Sequence, residues 1–217
     1  MVTLADWVAS DERFFPYAES MDAYFSRSLE RARRQTELWT DEDARVEVAL
    51  RMYEIRMVES LPQHDMNSLR GVEGTRMKAV YRRLAKQYGV EWHGRRYDRN
   101  NPEKDDAINA AINHASTAVR AAGMIAVSAT NTIPQLGFIH EAAGTAFALD
   151  IADMYRASFM LPVAFEAVKK HQEQGWETLE RVTRRLVGER LRGEKMISEM
   201  IDRIKEVLDV DHDSRDA

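Results

Sequence analysis

The stretch GFIHEAAGTAFALDIADMYR, residues 137–156, sets a histidine and two aspartates in a largely apolar run. His140 sits in a glycine-flanked turn. Asp150 follows ten residues later and Asp153 three after that, among Phe147, Ala148, Leu149, Ile151 and Met154. An i, i+3 pair shares one face of a helix. A carboxylate carried into an apolar environment is costly without a cation, an arginine or a capping role to offset it. A second oddity is LRGVEGTR, where Glu73 stands between Gly71 and Gly74 inside a helical pattern. Each glycine costs about 1 kcal/mol there against alanine, and two together point to close backbone approach by something. A glutamate between glycines, a turn histidine and a helical aspartate make an oxygen-and-nitrogen donor set. Such a set suits Mg2+ or Mn2+ better than Zn2+, and such ions with open positions stabilise in-line phosphoryl transfer. The same residues are also compatible with a hydrogen-bonding histidine, a cap and surface acids.

These side chains need helices to position them. Residues 26–38 and 41–59 read as two helices, the second capped by Thr40 or Asp41 with acids in its first turn. Residues 68–88 read as a third, with Ser68 as a cap and Leu69, Val72, Met77, Val80, Tyr81, Leu84 and Tyr88 at three- and four-residue intervals. The segment YGVEWHGRRYDRNNPEKDD is a loop or short hairpin broken by Gly89, Gly94 and Pro102. Residues 103–130 form an alanine-rich helix suited to burial. Residues 141–173 give one or two helices interrupted near Pro162, and residues 176–209 give two amphipathic ones. Only the start differs. ADWVASDERFFPYAES has β-favouring aromatics and reads as a lone strand or hairpin, which needs a partner. The predicted organisation is mainly α: a β-remnant and linker over 1–25, a helical domain over 26–209, and a frayed acidic tail over 210–217.

Composition narrows the function classes. The chain of 217 residues has no cysteine, which excludes disulfides and thiolate metal sites and suits a reducing cytoplasm. The start lacks the features of a signal peptide, and no apolar run approaches the ~20 residues of a membrane span. Net charge is −5, but residues 69–99 hold nine Lys or Arg against three acids. That window is +6 and the remainder −11. Two readings fit it: a track for phosphates or a solvated helix face.

The segment SLRGVEGTRMKAVYRRLAKQYGVEWHGRRYDRNNPEKDDAINAAI, followed by LGFIH and LDIAD, resembles the CRISPR adaptation integrases, the Cas-one family, in their type I-E form. The likeness runs from about residue 13 to residue 190. It implies a helical catalytic lobe with a short N-terminal β-strand remnant. It implies Glu73, His140 and Asp153 as ligands of one Mg2+ or Mn2+, with Asp150 as the nearby supporting acid of the catalytic group. The implied activity is a metal-dependent endonuclease and integrase that joins the 3′-hydroxyl ends of a protospacer duplex to the CRISPR repeat. The implied partners are double-stranded DNA, a second copy of the chain and the small Cas-two protein. Carried-over DNA contacts are Arg13, Arg70, Arg95, Tyr97, Arg156, Arg181 and Arg184. Several positions depart from the family pattern: Arg120-Ala121 stands for Tyr-Gly, EAAG lacks a lysine after His140, Leu149 replaces a tyrosine, and Pro102 a tryptophan. Most of the family's N-terminal β-domain has no counterpart in these residues. The alternative expectation is a non-catalytic remnant that binds DNA or a partner.

Overall fold

A computed structural model of the chain describes residues 21–57, 66–95 and 106–210. Alanine and glycine make one helix the axis of the fold. This helix, α4 (Ala107–Ala129), follows α1 (Met21–Thr40), α2 (Glu42–Met57) and α3 (Met66–Tyr88). After it come α5 (Ala146–Met154), a π-helical turn (Arg156–Met160), α6 (Leu161–Gln174), α7 (Leu179–Gly193) and α8 (Met196–Leu208). Asp106 caps α4, its side chain accepting from the Asn109 N–H at 2.9 Å. Along α4, Ile108, Ala111, Ile112, Ala115, Val119, Ala122, Ala126 and Val127 are buried. The helix packs against α5, α6, α7 and α8. Small side chains permit that approach. A Cβ at Gly123 would meet the Ala148 carbonyl at 2.8 Å, so α5 rests on bare backbone there.

The mainly helical expectation holds, and the described residues contain no strand. Its details change in four places. Helix α1 begins at Met21, five residues before the expected start at 26. The strand expected before it lies outside the described residues, as does most of the acidic tail. Ser68 is not a cap, because α3 already runs from Met66. Asp41, not Thr40, caps α2 and accepts from the Ala44 N–H at 2.9 Å. The interruption expected at Pro162 falls earlier, at Tyr155, whose carbonyl receives both the Phe159 and Met160 N–H groups. Pro162 then lies in the first turn of α6, where a missing N–H costs nothing.

Beyond α3 the chain runs without regular structure to Arg95, through Gly89 and Gly94 at positive φ. It is held by packing. Trp92 stacks on Tyr81 with ring centroids 4.4 Å apart, and also meets Phe165 of α6. None of the described helices is long and apolar enough to cross a membrane.

Candidate functional site

Between α4 and α5 the chain makes an irregular loop, and Asp150 of α5 organises its end. This carboxylate is fully buried. Its Oδ2 accepts from the N–H groups of Phe138 at 2.6 Å and Ile139 at 3.0 Å. Its Oδ1 accepts from the His140 N–H at 3.0 Å and meets the His140 Nδ1 at 2.6 Å. Four donors to one carboxylate offset the cost of carrying it into the core. Helix α1 holds the other side of the loop. Buried Gln35 donates to the carbonyls of Ile133 and Leu136, both at 3.0 Å, and accepts from the Ile133 N–H at 2.6 Å. The Trp39 indole donates to the Gly137 carbonyl at 3.0 Å. Gly137 has no room for a side chain: a Cβ would lie 2.7 Å from that of Ala146 and crowd the His140 carbonyl. Arg45 of α2 pairs with Glu141 at 3.0 Å just beyond.

The result is a histidine with one ring nitrogen fixed. Its Nδ1 is engaged by Asp150, which leaves Nε2 as the ring nitrogen for a ligand. A buried carboxylate behind a histidine is the arrangement that orients metal-binding imidazoles. The hydrogen bond to Asp150 raises the His140 pKa above its ordinary value. Burial opposes the rise, while the charges of Asp150, Asp153 and Glu73 reinforce it.

Glu73 on α3 and Asp153 on α5 meet around a guanidinium. Arg56 of α2 places its Nη1 2.7 Å from Glu73 Oε1 and 3.9 Å from Asp153 Oδ2. Its side chain is 4 % exposed, against 18 % for Glu73 and 29 % for Asp153, so the cation is the deepest member of the group. Arg156 flanks Asp153 at 3.8 Å and donates to the Tyr81 hydroxyl at 3.2 Å. Tyr53 lies beside Glu73; burial first, and then that carboxylate, push its phenol up to about 12.

Glu73, His140 and Asp153 therefore come from three separate segments to one place, and Asp150 stands behind them. Among the described residues no three acidic or histidine side chains are close enough to hold an ion as they stand. Their donor chemistry fits a hard divalent cation. The Arg56 guanidinium stands between the two carboxylates as a positive charge, and its Nε and Nη2 have no hydrogen-bond partner.

The nucleic-acid candidates divide. Arg70 is exposed and reaches the Ile139 carbonyl at 3.4 Å, beside the histidine. Arg156 is in the cluster itself. Arg95 is held on α4 by Asn109 at 2.7 Å and Asn113 at 2.5 Å. Arg181 and Arg184 lie on α7, which contributes nothing to the cluster, and pair with Glu177 at 3.2 Å and Glu180 at 2.9 Å. Arg13 and Tyr97 fall outside the described residues. Gly71 and Gly74 have nothing within 4 Å of a built Cβ, so no part of the described fold accounts for them and their face is open. Arg56 was missed by sequence reasoning. The available signal was a cation in register with Ala49, Met52 and Tyr53 on the apolar stripe of its helix.

The fold is that of solved Cas1 structures. The crystal structure of a TtCas1–DNA complex superposes with a TM-score of 0.75 at 31 % identity, covering 82 % of this chain and 65 % of that one. A casposase bound to integration product has the same fold at a TM-score of 0.63 and 15 % identity, covering 84 % of this chain and 69 % of that one. The family model for CRISPR associated protein Cas1 matches residues 23–187, and the chain belongs to that family. It is 36 % identical over 175 residues to the CRISPR-associated endonuclease Cas1 of Escherichia coli, covering 80 % of this chain and 56 % of that protein. It is 33 % identical over 195 residues to CRISPR-associated endonuclease Cas1 2 of Thermus thermophilus, covering 89 % and 58 %. The chain thus spans somewhat more than half the length of these relatives.

Proposed function

We propose that this chain is the catalytic lobe of a divalent-metal-dependent DNA endonuclease and integrase of CRISPR adaptation. Glu73, His140 and Asp153 would hold Mg2+ or Mn2+, and Asp150 would serve as the supporting acid that orients His140. The observation carrying this reading is the buried Asp150 carboxylate, which fixes His140 Nδ1 at 2.6 Å while the charges of Asp153 and Glu73 also act on that imidazole. The names of its relatives as endonucleases support a nuclease, and a solved relative in complex with DNA supports a nucleic-acid ligand.

In the proposed reaction the 3′-hydroxyl of a protospacer strand attacks a phosphodiester phosphorus of the CRISPR repeat. A new phosphorus–oxygen bond forms as the attacking hydroxyl gives up its proton, the scissile bond breaks, and the departing 3′-oxygen takes up a proton. The chemistry supplied by a bound divalent ion is stabilisation of charge at that phosphate and departing oxygen. The chain's own residues bind and orient. Arg70 and Arg156, on either side of the carboxylates, would take phosphate oxygens through their forked donors. Asp150 would hold the imidazole in one orientation, so that the ring needs no reorganisation as charge develops. Arg95, Arg181 and Arg184, with Arg13 and Tyr97, would carry the duplex farther out. A second copy of the chain and the Cas-two protein are the proposed partners, and the cytoplasm the proposed compartment.

Strand transfer or nicking of a duplex carrying a repeat junction tests the reading. Activity is expected with Mn2+, and Glu73→Ala or His140→Ala should abolish it while the fold stays intact. DNA binding without metal-dependent cleavage in the unaltered chain would overturn the catalytic reading and leave a binding remnant.

A further inference from the structure

Arg156 is anchored differently from the arginines of α7. Arg184 and Arg185 each place a guanidinium 2.9 Å from a glutamate, which engages the donors and cancels the charge. Arg156 makes its shorter contact with a neutral group instead. Its Nη2 donates to the Tyr81 hydroxyl at 3.2 Å, while Nη1 stands 3.8 Å from Asp153, beyond hydrogen-bonding distance. Tyr81 is buried on α3, and its ring is braced from outside that helix. Trp92 stacks on it with centroids 4.4 Å apart and planes 5° from parallel, and Phe165 of α6 meets the indole in turn. A buried, stacked ring holds its hydroxyl in one place. The arginine itself opens the π-helical turn that follows α5, and single π-turns are rare and collect at functional sites.

We infer that Tyr81 is a positioning residue: braced by Trp92, its hydroxyl aims the Arg156 guanidinium beside Asp153 and leaves the charge uncancelled for a phosphate oxygen. The identity of that ligand rests on the proposed function; the anchor itself does not. An arginine that is free to move must give up rotamer freedom when it grips a phosphate, and ordering one such side chain weakens binding about two- to tenfold. An acceptor that orders the side chain beforehand removes that loss. A carboxylate in the place of the hydroxyl would order it too, but would compete with the phosphate for the same donors through its charge. A phenol hydroxyl fixes direction with little of that competition.

The test uses the whole 217-residue chain with chelator present, so that no divalent ion takes part. Tyr81→Phe removes the hydroxyl and keeps the ring on Trp92. In 15N-labelled protein the Arg156 Nε–H resonance should be sharp, because the group is buried and held; in Tyr81→Phe it should broaden or exchange away. Affinity for a short DNA duplex should fall about two- to tenfold. Its salt dependence should keep the same slope, since no charge has been removed. Arg156→Ala should weaken binding and lower that slope by about one. Adding Tyr81→Phe to Arg156→Ala should change nothing further, because the hydroxyl acts through the arginine. Should Arg156→Ala not fold, Arg156→Gln takes its place in the cycle, keeping the stem and removing the charge. Equal losses from Tyr81→Phe with and without the arginine would make Tyr81 merely structural and overturn the assignment. So would an Arg156 resonance or a duplex affinity that Tyr81→Phe leaves untouched. An unaltered chain that binds no duplex overturns the proposed function, and the arginine resonance then still decides the anchor.

Discussion

The two halves of the candidate site are built differently. The histidine half is held on every side: Asp150 binds three consecutive backbone N–H groups and the imidazole, Gln35 and Trp39 anchor the loop from α1, and Gly137 leaves no slack. Among the described residues, the glutamate half is held by one ion pair and by the Tyr53 phenol. Glu73 extends from a helix with glycines on both sides, an open face and a single arginine contact. One half is fixed by buried hydrogen bonds; the other has a cation for a partner. Preorganisation is worth most where a nitrogen must point in one direction. On the proposed metal reading, the carboxylate would exchange arginine for an ion and needs freedom instead.

Breaking the rigid half should cost most. Asp150→Ala strands buried N–H groups, each worth about 1–3 kcal/mol when unsatisfied, so a loss of about 3 kcal/mol or more is expected in urea unfolding. Gln35→Ala should come next, at about 2–3 kcal/mol, since it opens a small cavity and unpairs backbone groups in the same loop. Both should also remove the chemical-shift signature of the fixed His140 ring. Breaking the adjustable half should barely register. Glu73→Gln still offers Arg56 an acceptor and should cost about 1 kcal/mol, the difference between a charged and a neutral hydrogen bond. A loss for Glu73→Gln as large as that for Asp150→Ala would erase the contrast.

Much of this was legible beforehand, and the reasons for the rest are physical. Helix periodicity located the helices to within a few residues, because their apolar faces are regular. The acid pair stood out because Asp150 and Asp153 interrupt an apolar run. Their division of labour did not. Spacing puts both on one face, yet one is fully buried against a loop and the other reaches an arginine. Glycines misled in one place and were passed over in another. Gly71 and Gly74 break a helical pattern visibly and touch nothing within the described fold, whereas Gly137 sits in an irregular loop with no pattern to violate and is tightly enclosed. Gln35 and Trp39 act on partners 98 residues away, and no local signal in the sequence encodes that distance.

The central claim is that Glu73, His140 and Asp153 form one divalent metal site. Titration of Mn2+ followed by electron paramagnetic resonance tests it directly, because free Mn2+ gives the signal and bound Mn2+ loses it. The account predicts one saturable site in the unaltered chain. It predicts losses in affinity of about tenfold or more for each of Glu73→Gln, His140→Ala and Asp153→Asn, and little change for Arg181→Ala on α7. Saturable binding that survives all three substitutions, or no saturable binding at all, would contradict it.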